Sequence, residues 1–397
     1  MKLTAKTFYG LEDVLAEELK NLGATNIKKG NRVVTYEGDT ELMYRSNLWL
    51  RTALAVLIPV STFKFKNKDD LFKKFTKIDF GEFMSDGQTF AVKGAVNSPE
   101  FTYTQLPMLI LKDAIVDYFR DKFGTRPDVD KRHPNVVFDV HLQDYECTVS
   151  INTSGAPLFQ RGYRKDTGEA PLNEAVAAGM ILLSGWKGDT DFMDVMCGAG
   201  TLPIEAALIA NEMPPNLARK SFSFMHLKGF DKELWNKVYD EAPKRPKKDL
   251  KVRIVGSDTN GDVILKARSN AKNLPLGQCL QFEIKDFGDQ GRLGDGGILI
   301  TNPPYGERIG EEEEIPAMYK RLGDFFKHKM QGYDCWVISA SREGLKNIEL
   351  KPDEKIQLYN GSLSCDFRKY KIFEGSLAEH KQKYSNERRV PKRNKKK

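Results

Sequence analysis

The sequence predicts an α/β protein in which an α+β N-terminal part precedes a doubly wound, mostly parallel C-terminal sheet. From about residue 171 onward, strand patterns alternate with helical patterns, as in consecutive βαβ units. Before residue 154 the two patterns follow one another less regularly. The chain of 397 residues is long enough for two or three domains. The expected limits are 1–60 and 61–154 for two α/β units, 155–170 for a linker, 171–378 for the main domain and 379–397 for a tail.

In the N-terminal part, hydrophobic periodicity predicts three helices and four strands. The helices are expected at about 11–22, 40–57 and 105–122, and the strands at 32–36, 89–96, 136–142 and 146–153. The segment 155–171, rich in Gly, Pro and Arg, has no periodicity and predicts a connector.

In the C-terminal part, strands and helices are predicted in alternation. Strands are expected at 191–195, 252–256, 280–284, 297–301 and 335–339, with helices at 172–183, 202–210, 262–273 and 315–329. Two further strands, 355–359 and 368–373, are expected to close the sheet as an antiparallel edge. The stretch 211–250, which carries several aromatic residues, is interpreted as a local cap.

Composition excludes several classes of protein. With 40% hydrophobic and 29% charged residues and no apolar run near the ~20 residues of a membrane span, the chain is expected to be globular and not membrane-bound. The N-terminus lacks the features of a secretion signal, which favours a cytoplasmic location. Five scattered cysteines without a CxxC pair favour neither a disulfide framework nor a metal site.

The net charge of +7 is concentrated at the C-terminal end. Residues 381–397 hold nine Lys or Arg against one acid, including Lys392 and Arg393. Such a segment is too polar to bury a core and is expected to be disordered and attracted to phosphates. A solvated, solubilising end is the alternative interpretation.

The first strand of the main domain is followed by a glycine-rich loop. In open α/β sheets, ligands bind at the carboxyl ends of the strands, so this loop is a candidate site. Asp194 ends the strand, Cys197, Gly198 and Gly200 follow, and Thr201 leads into a helix. The glycines allow a tight turn close to a ligand. The loop lacks both the GxGxxG pattern and a phosphate-binding lysine, so a zwitterionic amino-acid group fits better than a pyrophosphate.

Acidic residues follow the next two strands. Asp258 is placed to accept hydrogen bonds from both hydroxyls of a ribose, and Asp286 from an adenine amino group. Either residue alone could be a helix cap or turn residue. Together with the glycine-rich loop, they predict a site for S-adenosylmethionine (SAM).

The segment Asn302-Pro303-Pro304-Tyr305 follows the fourth strand and is the most specific motif in the chain. Two prolines cannot supply N–H donors to a ladder. The amide oxygen of Asn302 and the carbonyl of Pro303 can accept both hydrogens of a planar amine, and Tyr305 offers a face for stacking a base. The motif therefore predicts methyl transfer to an exocyclic nitrogen, with positioning as the main source of rate. Asn302 is also expected among the residues that contact the cofactor. A cysteine nucleophile is not indicated, and Cys197 is expected to be a small structural residue of the loop.

These motifs resemble those of the class I SAM-dependent methyltransferases, and more closely the THUMP-domain RNA methyltransferases of the large-subunit rRNA guanine-N2 type. The likeness extends from the N-terminus to about residue 375. It implies a Rossmann-like seven-stranded domain preceded by ferredoxin-like and THUMP units that deliver RNA. It also implies a flipped guanosine as the target. By the same likeness, Arg126, Arg161, Arg164 and Arg308 are expected to contact RNA.

The first motif departs mildly from the family pattern, with Val195 where Pro is common and Ala199 where Ser is common. Several targets stay open at this point. The Asn-Pro-Pro-Tyr segment also suits adenine N6 or cytosine N4 in DNA and glutamine side chains in proteins, and THUMP units also occur in tRNA-modifying enzymes. A non-enzymatic RNA-binding factor with a vestigial cofactor fold is the alternative from a different functional class.

Overall fold

A computed structural model describes residues 1–164, 172–247, 249–305 and 314–373. These residues form two compact units. The described part of the first unit comprises residues 1–164, 174–179 and 212–244. The described part of the second comprises 172–173, 180–211, 245–247, 249–305 and 314–373.

The first unit is built on a seven-stranded sheet. Its strands are β1 (Lys2–Thr7), β2 (Thr25–Gly30), β3 (Val33–Glu37), β4 (Ala53–Lys64), β5 (Phe90–Asn97), β6 (Val136–Gln143) and β7 (Glu146–Asn152). Its first four helices are α1 (Glu12–Asn21), α2 (Thr40–Trp49), α3 (Lys68–Phe75) and α4 (Leu106–Phe123). The strand order is β2-β3-β1-β4-β7-β6-β5, and all neighbours are antiparallel except β5 and β6.

Strand β4 was not predicted from the sequence. The predicted helix over 40–57 ends at Trp49, and the chain then enters a 12-residue strand from Ala53 to Lys64. The apolar run of β4 is compatible with either structure, and its β-branched residues favour the strand. Because β4 pairs with β1 on one side and β7 on the other, a single sheet runs through both predicted N-terminal units.

The second unit contains the alternating pattern. Its strands are β8 (Asp191–Asp194), β9 (Ile254–Asp258), β10 (Leu280–Ile284), β11 (Gly297–Thr301), β12 (Tyr333–Ser339), β13 (Glu354–Asn360) and β14 (Leu363–Lys371). The helices from here to the C-terminal end of the described chain are α5 (Glu174–Leu183), α6 (Thr201–Ala210), α7 (Lys232–Glu241), α8 (Gly261–Ala271), α9 (Glu314–Lys329) and α10 (Arg342–Asn347).

The strand order of the second sheet is β10-β9-β8-β11-β12-β14-β13. The first five of these strands are parallel, and β14 is antiparallel to both β12 and β13. The predicted doubly wound sheet with an antiparallel edge is therefore confirmed. Because β9 lies on one side of β8 and β11 on the other, the topological switch point lies between the carboxyl ends of β8 and β11.

The stretch after α6 differs from its interpretation as a local cap of the main domain. Residues 212–244, including α7, belong to the first unit. Trp235 and Val238 of α7 join the same hydrophobic cluster as Tyr44 of α2 and Leu3 of β1. The aromatic residues noted in the sequence therefore complete a core most of whose other buried members come from the first 60 residues.

None of the helices in the described ranges combines the length and the apolar character that crossing a membrane requires.

Candidate active site

The carboxyl ends of β8 and β11 are joined by a buried hydrogen bond. The Thr301 hydroxyl, at the end of β11, donates to Oδ1 of Asp194, at the end of β8, over 2.9 Å. Both side chains are buried, and the backbone N–H of Met196 also donates to Oδ1 of Asp194. This bond ties the glycine-rich loop to the strand that carries the Asn-Pro-Pro-Tyr segment, at the switch point where ligands of such sheets bind.

Asp194 is an acid held out of water. Burial raises its pKa to about 7, the hydrogen bonds from Thr301 and Met196 oppose this rise, and the nearby charge of Asp258 adds to it. Ionising such a group in a low-dielectric environment is costly unless a positive partner is present. Asp194 is therefore placed to favour a cationic group in the adjacent site.

The loop between β8 and α6 adopts the tight turn that its glycines predict. Gly198 and Gly200 have positive φ angles of 51° and 84°. A Cβ on Gly200 would lie 2.8 to 2.9 Å from Phe282 and Ala267, so only glycine fits there without displacement. At Gly198 a Cβ would meet nothing within 4 Å, and the backbone there borders open space.

Neighbouring elements fix this loop. The backbone N–H of Cys197 donates to the carbonyl of Ser257, and the side chain of Asn270 in α8 donates to the carbonyl of Ala199. Gly200 precedes the first turn of α6, so backbone N–H groups and the positive end of the helix dipole lie next to the loop. This arrangement can bind a carboxylate through the backbone alone.

Asp258, at the end of β9, is tied to the loop. Its Oδ2 accepts from the N–H of Gly198 and its Oδ1 from the N–H of Asn260, each over 3.0 Å. The side chain is partly exposed, and each carboxylate oxygen retains acceptor capacity. The structure thus places Asp258 beside the glycine-rich loop, and its first role is to hold that loop.

Asp286 follows β10 and uses one oxygen for structure. Its Oδ1 accepts from the N–H of Gly288 over 2.7 Å and from the guanidinium of Arg321 in α9. Nothing within the described ranges donates to Oδ2, and the side chain is 27% exposed. The Arg321 guanidinium also lies 4.4 Å from the centre of the Phe287 ring. Asp286 therefore keeps one acceptor oxygen for a ligand.

The Asn302–Tyr305 segment leaves β11 directly after Thr301. Asn302 is partly exposed and Pro303 is buried. The Tyr305 hydroxyl donates to Oδ1 of Asn302, which orients the carboxamide. An amide oxygen has two lone pairs, so Oδ1 can still accept one hydrogen from a target amine.

Cys197 lies in the loop and is 7% exposed. Burial raises the pKa of its thiol well above the ordinary value, and the charges of Asp194 and Asp258 raise it further. A protonated thiol is a poor nucleophile, which agrees with the absence of a nucleophilic role in the sequence interpretation.

The residues expected to contact RNA differ in their surroundings. Arg126 is exposed. Arg161 is 1% exposed and donates to the carbonyls of Leu158 and Arg51, so its position is that of a structural residue and does not favour the expected RNA contact. Arg164 is also largely buried and pairs with Glu174 over 3.1 Å. Arg308, Lys392 and Arg393 lie outside the described residues.

Sequence reasoning missed several residues that hold the site together. Thr301 directly precedes the predicted motif, and a hydroxyl at a buried strand end was a usable signal. Arg321 and Asn270 gave none, because each reaches the site from a helix whose place in the fold is set by tertiary packing.

Within the described ranges, no group of three or more His, Cys, Asp or Glu side chains could hold a metal ion.

The strand order and the ligand-binding edge define a Rossmann-like methyltransferase fold. In comparisons with known families, residues 161–369 match the RMKL-like methyltransferase domain, residues 2–57 the RlmL ferredoxin-like domain and residues 65–152 the THUMP domain. The chain belongs to this RMKL-like methyltransferase family, whose members use SAM as the methyl donor.

Two curated relatives and one solved structure illustrate the likeness. A Synechocystis protein named as an RNA methyltransferase is 34% identical over 92% of this chain and 95% of its own length. The ribosomal RNA large subunit methyltransferase K/L of Aeromonas hydrophila is 38% identical over 94% of this chain. This chain spans about half of that relative, 54% of its length. The crystal structure of SMU.472, described as a methyltransferase complexed with S-adenosylhomocysteine, is 30% identical with a TM-score of 0.83, covering 94% of this chain and 99% of that one.

Proposed function

We propose that the protein methylates the exocyclic N2 amine of a guanosine in RNA, and that this RNA is the large-subunit (23S) ribosomal RNA. The observation that carries the proposal is the Asn302 carboxamide, oriented by Tyr305 at the carboxyl end of β11 and joined through Thr301 to the glycine-rich loop. A planar amine is the group that this arrangement of acceptors suits.

The residues around the switch point fit SAM. The backbone of Gly198, Gly200 and Thr201 at the start of α6 would bind the amino-acid carboxylate, with Cys197 filling the turn. Asp194 would favour the positive charge of the ligand. Asp258 would accept from the ribose, and the remaining oxygen of Asp286 would accept from the adenine amino group. The bound cofactor supplies an electrophilic methyl group on a sulfonium sulfur.

The chain's own residues would prepare the nitrogen for attack. Oδ1 of Asn302 and the carbonyl of Pro303 would each accept one hydrogen of the target amine. These bonds favour the geometry in which the nitrogen lone pair points at the methyl carbon, and the side chain of Tyr305 would stack on the base. The nitrogen would take the methyl group as the bond between that methyl and the sulfonium sulfur breaks, and it would then lose a proton to solvent, so no strong base is required.

Support for RNA comes from the N-terminal part and the relatives. A THUMP domain occupies residues 65–152, and curated relatives are named as RNA or ribosomal RNA methyltransferases. The exposed Arg126 would contact the phosphate backbone, as would Arg308, Lys392 and Arg393. A cytoplasmic location, where ribosomal RNA is processed, belongs to the same proposal.

The choice of substrate can be tested directly. Purified protein and methyl-labelled SAM would be incubated with separate pools of unmodified large-subunit rRNA transcript, tRNA transcripts, DNA and protein. We expect label in the rRNA transcript, recovered as N2-methylguanosine after digestion to nucleosides. Label only in tRNA would redirect the proposal to tRNA guanosine, and N6-methyladenosine or N4-methylcytidine as the product would overturn the guanine assignment.

The role of Asn302 can be tested with Asn302→Ala. Because the carboxamide acts mainly on the target amine, we expect kcat to fall at least ~100-fold while the Kd for SAM stays within a few-fold. Calorimetry with SAM and the label-transfer assay measure the two quantities. Asn347→Ala, at the end of α10, is the matched control. A variant Asn302→Ala as active as the parent would remove Asn302 from the mechanism.

A further inference from the structure

A buried tyrosine of helix α9 contacts the Asn302–Tyr305 segment. Tyr319 lies in α9 and is fully buried. Its hydroxyl is 2.6 Å from Oγ of Ser339, at the end of β12, and 3.4 Å from the carbonyl oxygen of Pro304. The second contact is longer than the ~2.5–3.0 Å usual for an O–H···O hydrogen bond, so it is a weak one. Tyr319 therefore connects the Asn302–Tyr305 segment to the next strand of the sheet.

The direction of these hydrogen bonds follows from their members. A carbonyl oxygen only accepts, so the hydroxyl of Tyr319 donates to Pro304. The Tyr319 hydroxyl has one hydrogen, so when it donates to Pro304 the shorter contact is donated by Ser339. The Oγ of Ser339 in turn accepts from the backbone N–H of Ser341 over 3.0 Å. One ordered relay thus runs from the N-cap of α10 through Ser339 and Tyr319 to Pro304.

We propose that Tyr319 is a positioning residue for methyl transfer, which fixes the Pro304 carbonyl and thereby the orientation of the preceding Asn302 side chain and Pro303 carbonyl. This inference rests on the roles proposed above for Asn302 and Pro303. Two successive prolines have fixed φ angles and no N–H, so a carbonyl anchor is the hydrogen bond left to their backbone. A relay made of buried groups holds that anchor better than water would.

The environment of Tyr319 suits this role. Burial raises the pKa of its hydroxyl above the ordinary value. The hydroxyl therefore stays protonated, and able to donate, at neutral pH.

The test compares four single variants of the 397-residue chain and the double variant Tyr319→Phe/Ser339→Ala. Tyr319→Phe removes only the donor to Pro304, and Ser339→Ala removes the group that donates to Tyr319. Asn302→Ala is the benchmark for the site itself. Tyr333→Phe is the matched control, since Tyr333 is equally buried, and its hydroxyl binds the N–H groups of Leu293 and Gly294 at the opposite end of β12.

For each variant, kcat and KM are measured with labelled SAM and the large-subunit rRNA transcript, the SAM Kd by calorimetry, and Tm by circular dichroism. For Tyr319→Phe we expect kcat to fall about tenfold, with the Kd for SAM and the KM for RNA within about twofold. Ser339→Ala should reduce kcat less. The double variant should be no slower than Tyr319→Phe, because both changes break the same relay. Tyr333→Phe should lower Tm and leave kcat unchanged.

The outcomes separate this inference from the proposed function. If Asn302→Ala is inactive while Tyr319→Phe keeps the parental kcat, the relay is structural only and the inference is overturned. A fall in kcat for Tyr333→Phe as large as that for Tyr319→Phe would overturn it as well, because the effect would then follow from lost stability. If Asn302→Ala keeps full activity, the proposed site itself fails, whatever Tyr319 does.

Discussion

The first unit takes most residues of its N-terminal core from two distant parts of the chain, whereas the second unit takes the elements of its candidate site from consecutive strands. Leu3 and Tyr44 share a cluster with Phe224 and Trp235, which lie 180 to 232 residues later in the chain. In the second unit, β8 and β9 are direct neighbours in the sheet, and the residues that follow them form part of the candidate site. Because strands and helices alternate regularly in the second unit, short sequence motifs are enough to predict where a site lies. No short motif predicts the core of the first unit.

The two units also differ in how they treat buried charge. In the first unit, Asp139 is paired with Lys6 over 2.7 Å, and the partly buried guanidinium of Arg219 donates to four backbone carbonyls. In the second unit, the fully buried Asp194 is held by one hydroxyl and one backbone N–H. Other groups of the chain therefore hold Asp139 and most of the Arg219 guanidinium. Asp194 has no cationic partner within the described residues, and we propose that a bound ligand supplies the positive charge.

The largest expected effect concerns the segment that completes the first core. Trp235 is 8% exposed and packs on Tyr44, Phe222 and Phe224 with ring centres 5.1 to 5.9 Å apart. Trp235→Ala should destabilise the first unit by roughly 3–5 kcal/mol, since a large aromatic side chain leaves a cavity. Hydrogen exchange of the amides of β1 and β4, followed by mass spectrometry, measures the loss.

The matched control lies on the same helix. Lys237 is 59% exposed and contacts Glu41 over 3.6 Å, so Lys237→Ala should cost no more than about 0.5 kcal/mol. If the amides of β1 and β4 keep their protection from hydrogen exchange in Trp235→Ala, residues 212–244 are not needed for the N-terminal core of the first unit.

A smaller effect is expected from Asp194 and depends on pH. The pKa of Asp194 is about 7 in the folded chain, above the ~3.9 of an unfolded Asp, so the folded state binds the proton more tightly. The stability contributed by this group is present below about pH 4 and is lost as the pH rises through 7. Asp194→Asn removes the titrating group and therefore this loss of stability. Without SAM, the free energy of unfolding of Asp194→Asn minus that of the parent should increase by roughly 2–3 kcal/mol from pH 5 to pH 8.

Urea unfolding of both proteins at the two pH values, without SAM, measures this difference. Thr301→Val is a useful comparison, because it removes the hydroxyl that stabilises the ionised form and should steepen the pH dependence. A stability difference that stays constant from pH 5 to 8 would show that the pKa of Asp194 is not raised in the folded state.

The smallest effect concerns the exposed charge of the first unit. Arg126→Ala should weaken binding to the rRNA transcript about two- to fivefold, reduce the salt slope by about one, and leave Tm unchanged. Arg161→Ala should instead lower Tm, because it leaves buried carbonyls without a donor. Filter binding at several salt concentrations and thermal unfolding distinguish the two. An Arg126→Ala variant with the parental salt slope would exclude a phosphate contact at this position.

The sequence by itself determined the parallel sheet, its antiparallel edge and the residues that follow each strand of the candidate site. Those features are local, because strand periodicity, a glycine turn and a pair of prolines can each be recognised within a few residues. Parallel strands then bring their carboxyl ends to one edge of the sheet. Asp194 and Asn302 could therefore be named before any fold was known.

Only the tertiary structure decided which distant groups support them. In the tertiary structure, β4 forms where a helix was predicted, and residues 212–244 belong to the first unit. Arg161 is buried. Thr301 contacts Asp194, and Tyr319 contacts Pro304. The physical reason is common to all five. Burial and side-chain hydrogen bonding depend on which surfaces pack together, and a single sequence with no record of its long-range contacts does not contain that information in any local pattern.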